Sequence, residues 1–195
     1  YSVTYATAAH TVNTKTLTVT GITATAKDYD GLTNNGTTYL NLGSAAFSGL
    51  VTNDICTIGT GSVTGSYNSA SAGTTFIQVS GVSKSGTDNA NYSITQPTVS
   101  AVINQRALTV TATAQVKTYG DSTLGNTAFT SSGLQNSETI GTATLATNAT
   151  LSTSNNHNVG SWVITPSSAT GGTFTIANYS VTYATAAHTV NTKTL

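Results

Sequence analysis

Leu108-Thr109-Val110-Thr111-Ala112-Thr113-Ala114-Gln115-Val116 alternates apolar and polar residues at every step. A period of two puts Leu108, Val110, Ala112, Ala114 and Val116 on one side of a β-strand and Thr109, Thr111, Thr113 and Gln115 on the other. No long stretch of the chain carries the period of an amphipathic helix. Thr is the commonest residue, and Thr, Val and Ile lose little by standing on a pleated surface. The chain is therefore expected to be all-β.

An earlier stretch opens the same way. Leu17-Thr18-Val19-Thr20 matches Leu108-Thr109-Val110-Thr111, but its apolar face then shifts to Ile22, Ala24 and Ala26. Leu17 lies twelve steps before Tyr29, and Leu108 eleven before Tyr119. One inserted residue restores the pattern, which predicts a β-bulge at Gly21 and Ile22. Further correspondences follow in order. Gly49-Leu50 matches Gly133-Leu134, Gly73 before Phe76 and Val79 matches Gly160 before Trp162 and Ile164, and Asn91-Tyr92-Ser93-Ile94 matches Asn178-Tyr179-Ser180-Val181. The chain thus reads as two modules of about 90 residues, each large enough for its own core.

Turn-forming residues follow each opening strand: Asp28-Tyr29-Asp30-Gly31 and Tyr119-Gly120-Asp121. Further strands are expected at 37–42, 55–63, 74–79 and 92–103, and at 128–130, 140–146, 161–165, 173–176 and 179–190. Single helical turns are expected at 49–54 and 133–138. The modules should be small sandwiches.

A stricter repetition lies over this one. Tyr1-Ser2-Val3-Thr4-Tyr5-Ala6-Thr7-Ala8-Ala9-His10-Thr11-Val12-Asn13-Thr14-Lys15-Thr16-Leu17 returns without a change as 179–195. Identity at polar positions exceeds what folding alone demands, so the chain reads as a window on a tandem array. Residues 1–15 are then expected as the C-terminal strand of a preceding module, 16–105 as one module, 106–193 as the next, and 194–195 as the start of another. Asn104-Gln105-Arg106 and Asn13-Thr14-Lys15 run straight into strands with no Pro- or Gly-rich linker, so the joints should be stiff and the array an extended rod. Each module should advance it by roughly 35 to 45 Å.

Composition excludes several functions. Charged residues make up 6% of the chain, against about 25% in ordinary soluble proteins. Six basic and six acidic side chains, scattered singly, leave no basic stripe for nucleic acid and no polybasic patch for a membrane surface. No apolar run approaches the roughly 18 residues of a membrane span. Zero net charge with nine Tyr and four Phe argues for a folded chain rather than a disordered one.

Each candidate for chemistry has a plainer structural explanation. Asp28, Asp30 and Gly31 imitate the start of a calcium loop, but such a site needs six or more oxygen ligands. Five Asp and one Glu are all the chain offers, so a turn is the better reading. His10 and His188 occupy one repeat position and His157 an Asn-rich loop; packing is favoured over metal ligation. Cys56, the single cysteine, sits in the apolar Ile55-Cys56-Thr57-Ile58 and is expected as a small buried hydrophobe, with a crosslink between fibres as the alternative. Lys27, Lys84 and Lys117 raise the question of Lys–Asn crosslinks, for which the sequence brings no three groups together. Tyr1, Val3 and Tyr5, like Tyr179, Val181 and Tyr183, alternate as core residues rather than as a sugar-stacking row. Without a nucleophile elbow or paired carboxylates, no catalytic, cofactor-binding or metal residue is expected.

Residues 16–105 resemble a YDG domain in Tyr29-Asp30-Gly31, Gly49-Leu50 with Asp54, Ala72-Gly73 and Asp88-Asn89-Ala90-Asn91-Tyr92. Residues 106–193 resemble an MBG-type domain, a group named for mucin binding, in Lys117-Thr118-Tyr119-Gly120-Asp121, Val159-Gly160-Ser161-Trp162 and Ala177-Asn178-Tyr179. The resemblance implies a bacterial extracellular, haemagglutinin-like adhesin built of tandem sandwich, Ig-like or β-grasp-like modules. It implies no ligand-contacting residue. Two functions are expected from it and from the repetition: a stalk or fibre repeat that holds an adhesive tip away from the cell, or a multivalent module for glycan or mucin. Expected partners are neighbouring repeats, other fibres through lateral pairing of uncovered sheet edges, and host or environmental glycans.

Overall fold

The computed structural model describes residues 1–121 and 123–194. Among them the chain is all-β, and its helical pieces are the 3₁₀ turns Gly36–Tyr39, Asn89–Asn91 and Ile176–Asn178. The strands are β1 (Lys15–Thr20), β2 (Thr23–Ala24), β3 (Lys27–Asp28), β4 (Leu40–Asn41), β5 (Ala46–Ser48), β6 (Thr57–Gly59), β7 (Thr64–Tyr67), β8 (Gly73–Ser80), β9 (Ser83–Ser85), β10 (Tyr92–Ile94) and β11 (Thr98–Asn104). They continue as β12 (Arg106–Ala112), β13 (Gln115–Thr118), β14 (Phe129–Ser132), β15 (Ile140–Thr147), β16 (Gly160–Gly172), β17 (Tyr179–Ala184) and β18 (Ala186–Asn191).

The chain divides into two compact units. The first holds 1–26, 33–69 and 74–102; the second holds 27–32, 70–73 and 103–195. The turn containing Tyr29-Asp30-Gly31 therefore belongs to the second unit, although the opening strand before it belongs to the first.

In the first unit β1 runs parallel to β10 and antiparallel to β5. Alternation buries Leu17 and Val19 from β1, Ile77 and Val79 from β8, and Val99 and Ala101 from β11. Leu17, Cys56 and Tyr92 form a cluster with Phe47, Leu50 and Ile94 against it. Burying a side chain of this size contributes about 1.5–3 kcal/mol. With so few charges available, such clusters and the strand ladders carry the fold.

The pairing breaks at Gly21 and Ile22 as the residue count predicts. β1 ends on Thr20↔Ala46, and β2 resumes on Thr23↔Asn41. The larger excess, however, lies on the facing side, where 42–45 stand opposite Gly21 and Ile22. Gly21 has φ +77°, and a Cβ there would lie 1.9 Å from the Ser44 carbonyl oxygen. The irregularity is thus a close approach of two backbones that only glycine permits.

In the second unit β12 pairs parallel with β17 and antiparallel with β14, while β13 pairs parallel with β18. The sheets run β14-β12-β17 and β13-β18-β16-β15. The opening and closing strands both change sheets, the first between Ala112 and Gln115 and the second at Thr185. This corrects the expected single face. Leu108, Val110 and Ala112 are buried, but Ala114 and Val116 are exposed and Gln115 and Lys117 are half-buried. A strand that crosses between sheets inverts its faces, so the alternation continues in the sequence while its meaning reverses.

Other expectations shift for similar reasons. The segment 161–165 is part of a thirteen-residue strand, because Pro166 falls beyond the last residue that pairs with β18 and its missing N–H is not needed there. Residues 173–176 lead into a 3₁₀ turn instead of a strand. The helical turns at 49–54 and 133–138 are single hydrogen-bonded turns, Asp54 N to Val51 O at 3.1 Å and Glu138 N to Gln135 O at 2.8 Å. Residues 1–14 form no strand and are exposed throughout.

Candidate functional site

The most organised polar feature is one that occurs in both units. Gly49-Leu50 and Gly133-Leu134 lead into turns that carry a carboxylate, and the 3₁₀ turns Asn89–Asn91 and Ile176–Asn178 deliver a tyrosine to each. In the first unit the Tyr92 hydroxyl accepts from the Val51 amide at 3.0 Å and donates to Asp54 Oδ2 at 2.6 Å. In the second, the Tyr179 hydroxyl accepts from the Gln135 amide at 3.1 Å and donates to Glu138 Oε2. Both tyrosines are buried. The phenol therefore ties the closing strand to the turn and satisfies a backbone donor and a carboxylate at once.

In the second unit the cluster is larger. The Tyr29 hydroxyl donates to Glu138 Oε1 at 2.7 Å, so one carboxylate receives two phenols. The two rings meet edge to face at 5.3 Å. Asn136 Nδ2 donates to the Asp30 carbonyl at 2.8 Å, and a Cβ on Gly31 would lie 1.9 Å from that same nitrogen. Burial, with the hydrogen bonds to Glu138 next, pushes the Tyr29 and Tyr179 phenols up to about 12. In Tyr92 the bond to Asp54 leads, and the phenol is likewise raised. Each member of Tyr29-Asp30-Gly31 thus has a separate task, where the sequence predicts only a turn.

Asp30 does not stand open as a calcium ligand. Its Oδ1 receives the buried Lys27 ammonium at 2.5 Å and the Leu32 amide at 2.9 Å. Lys27 also donates to the Leu32 carbonyl at 2.7 Å, and Asp28 accepts from Asn104 Nδ2 at 3.3 Å. Lys84 donates to the Asn89 backbone carbonyl at 2.6 Å, and Lys117 faces Asp121 at 3.5 Å. These ammonium contacts go to carboxylates and backbone carbonyls. Cys56 is buried, so its thiol reaches a second chain only if the unit opens.

His188 is fully buried, as packing predicts, but it has a partner the sequence does not announce. Its Nε2 lies 3.1 Å from His157 Nδ1, with the rings edge to face at 5.2 Å. Burial first and the neighbouring His157 second lower its pKa. His157 also borders an open groove of about 760 Å³ in the second unit, lined in part by Thr142, Thr144, Ser168 and Thr170. His10, at the equivalent repeat position, is exposed. Among the described residues no three His, Cys, Asp or Glu side chains gather as a metal site requires.

The comparisons with known proteins agree with these two sets of motifs. Residues 13–100 match the model of the YDG domain, and residues 108–189 match that of the MBG domain, YGX type. No curated protein and no solved structure matches the chain. The chain is thus a YDG domain followed in tandem by an MBG domain of the YGX type.

Proposed function

We propose that this chain is the repeating unit of a bacterial extracellular adhesin, a stalk or fibre segment whose work is mechanical. The observation that carries this reading is the recurrence of 1–17 as 179–195. It is supported by a single device, tyrosine to turn to carboxylate, that closes both domains. A spacer needs number and uniformity and makes no demand for a varied surface. Its stability is approximately a sum over repeats and their joints. Small-angle scattering of polyproteins with increasing numbers of the repeat tests this. The maximum dimension is expected to grow in proportion to repeat number, by about 35–45 Å per domain; a dimension that saturates defeats the reading.

A second reading is favoured by the groove in the second unit. Its volume of about 760 Å³ and its hydroxyl lining suit a sugar, and copy number would turn weak sites into avidity. A glycan array probed with the repeat unit decides between them: binding lost on Thr144→Ala or Thr170→Ala supports the sugar site, and a blank array supports the spacer alone.

A further inference from the structure

Tyr29 and Tyr119 are seated on the chain in the same way. Lys27 and Asp28 pair in parallel with Ile103 and Asn104, and Lys117 and Thr118 pair in parallel with Val190 and Asn191. In each case the tyrosine amide then donates to the asparagine carbonyl, Tyr29 to Asn104 at 3.0 Å and Tyr119 to Asn191 at 2.9 Å. Two residues after Asn104, Arg106 pairs with Tyr179, whose phenol is bound to Glu138. Tyr29 reaches that carboxylate as its second phenol.

The first unit has the same approach without the second phenol. Two residues after Asn13, Lys15 pairs with Tyr92, whose phenol is bound to Asp54 Oδ2. Glu138 receives a phenol on each oxygen, whereas among the described residues no donor bonds Asp54 Oδ1. Beside the pair is a hollow of about 260 Å³, bordered by Asn13, Lys15, Val51 and Asn91 as well as by Asp54 and Tyr92. Asn13 and Asn191 are one position of the repeat, because 1–17 recur as 179–195. Where one repeat follows another, Asn191 of the first is Asn13 of the second, and the tyrosine bonded to its carbonyl stands at the edge of the hollow.

We propose that Tyr119 of each repeat fills the hollow of the repeat that follows it in the chain and donates its hydroxyl to Asp54 Oδ1 there. The inference rests on reading the chain as a repeating unit, and it names the contact that ties one unit to the next. The Tyr119 hydroxyl otherwise has Ser154 Oγ at 3.5 Å, a long contact that a charge-assisted bond to a carboxylate outweighs. The incoming ring covers Tyr92, which packs against Cys56 and Leu17, so the contact also shields the small core behind it.

The test uses a chain in which residues 1–178 are followed directly by residues 1–195, with Cys56 kept in one copy and Cys56→Ser in the other. The rate at which Cys56 meets a thiol reagent reports the opening of the cluster beside the hollow. In the second copy, which has a Tyr119 before it, the thiol is expected to react several-fold more slowly than in the first. Tyr119→Phe in the first copy should remove most of that difference. The same substitution in the second copy, which has no repeat after it, should leave the rate unchanged. Asp54→Asn in the second copy should raise the rate, and adding Tyr119→Phe in the first copy should then change it little. Equal rates in the two copies, or no change on Tyr119→Phe in the first, overturn the proposal. Small-angle scattering of the same chain separates the two failures: a dimension that grows with repeat number rejects the tyrosine contact alone, and one that saturates rejects the repeat reading with it.

Discussion

Tyr29 and Tyr179 share one carboxylate, and the consequence is a dependence on alkaline pH. Both phenols are raised to about 12 in the fold, against about 10 in an unfolded chain. A group whose folded pKa is raised contributes stability that is complete below the unfolded value and is lost as pH climbs through the folded one. The second unit is expected to weaken between about pH 10 and 12, and absorbance titration should find Tyr29 and Tyr179 among the tyrosines that ionise late. Tyr179→Phe should cost about 1–3 kcal/mol, since it removes a bond to a charged group and strands the Gln135 amide. His188 runs in the opposite sense. Its pKa is lowered, so its contribution is complete above about 6.5 and is lost as pH falls below that value. Melting followed through Trp162 should drop between pH 7 and 5, and His188→Leu should flatten that acid limb. His157, half-buried, and Lys117 are the groups facing it that add to the repulsion once it is protonated.

At the scale of the element, local chemistry and ladder geometry part company at the places where strands bend. Gly21→Ala puts a Cβ against the Ser44 carbonyl at a positive φ and should destabilise the first unit by about 1–3 kcal/mol, read by calorimetry. The break at Gly21 was legible because a residue count differs between two like segments. The flip after Ala112 was not, because Ala114 and Val116 keep the apolar period while the strand changes sheets. β7 was missed for a related reason. Its inward residues are Gly65 and Tyr67, and Gly65 has no side chain to register as apolar; a Cβ there would press on Ile77 at 2.8 Å.

For the whole molecule, each unit has its own buried residues and its own closing tyrosine. Repeats of this kind are expected to add unfolding enthalpy in proportion to their number in calorimetry of tandem chains. The Cys56 thiol, buried against Leu17 and Tyr92, should react with a thiol reagent slowly in the folded chain and rapidly in denaturant. Fast reaction in the native state would reopen the crosslink between fibres.

Strand class, the count of two domains, the turns after the opening strands and the tandem repetition were all determined by the sequence. Each depends on period, turn propensity or identity, and these are properties of neighbouring residues. The tertiary structure decided which groups meet: Tyr29 with Glu138, and His157 with His188. Those choices depend on which strand or turn the fold brings in from far along the chain, and no run of neighbouring residues records that.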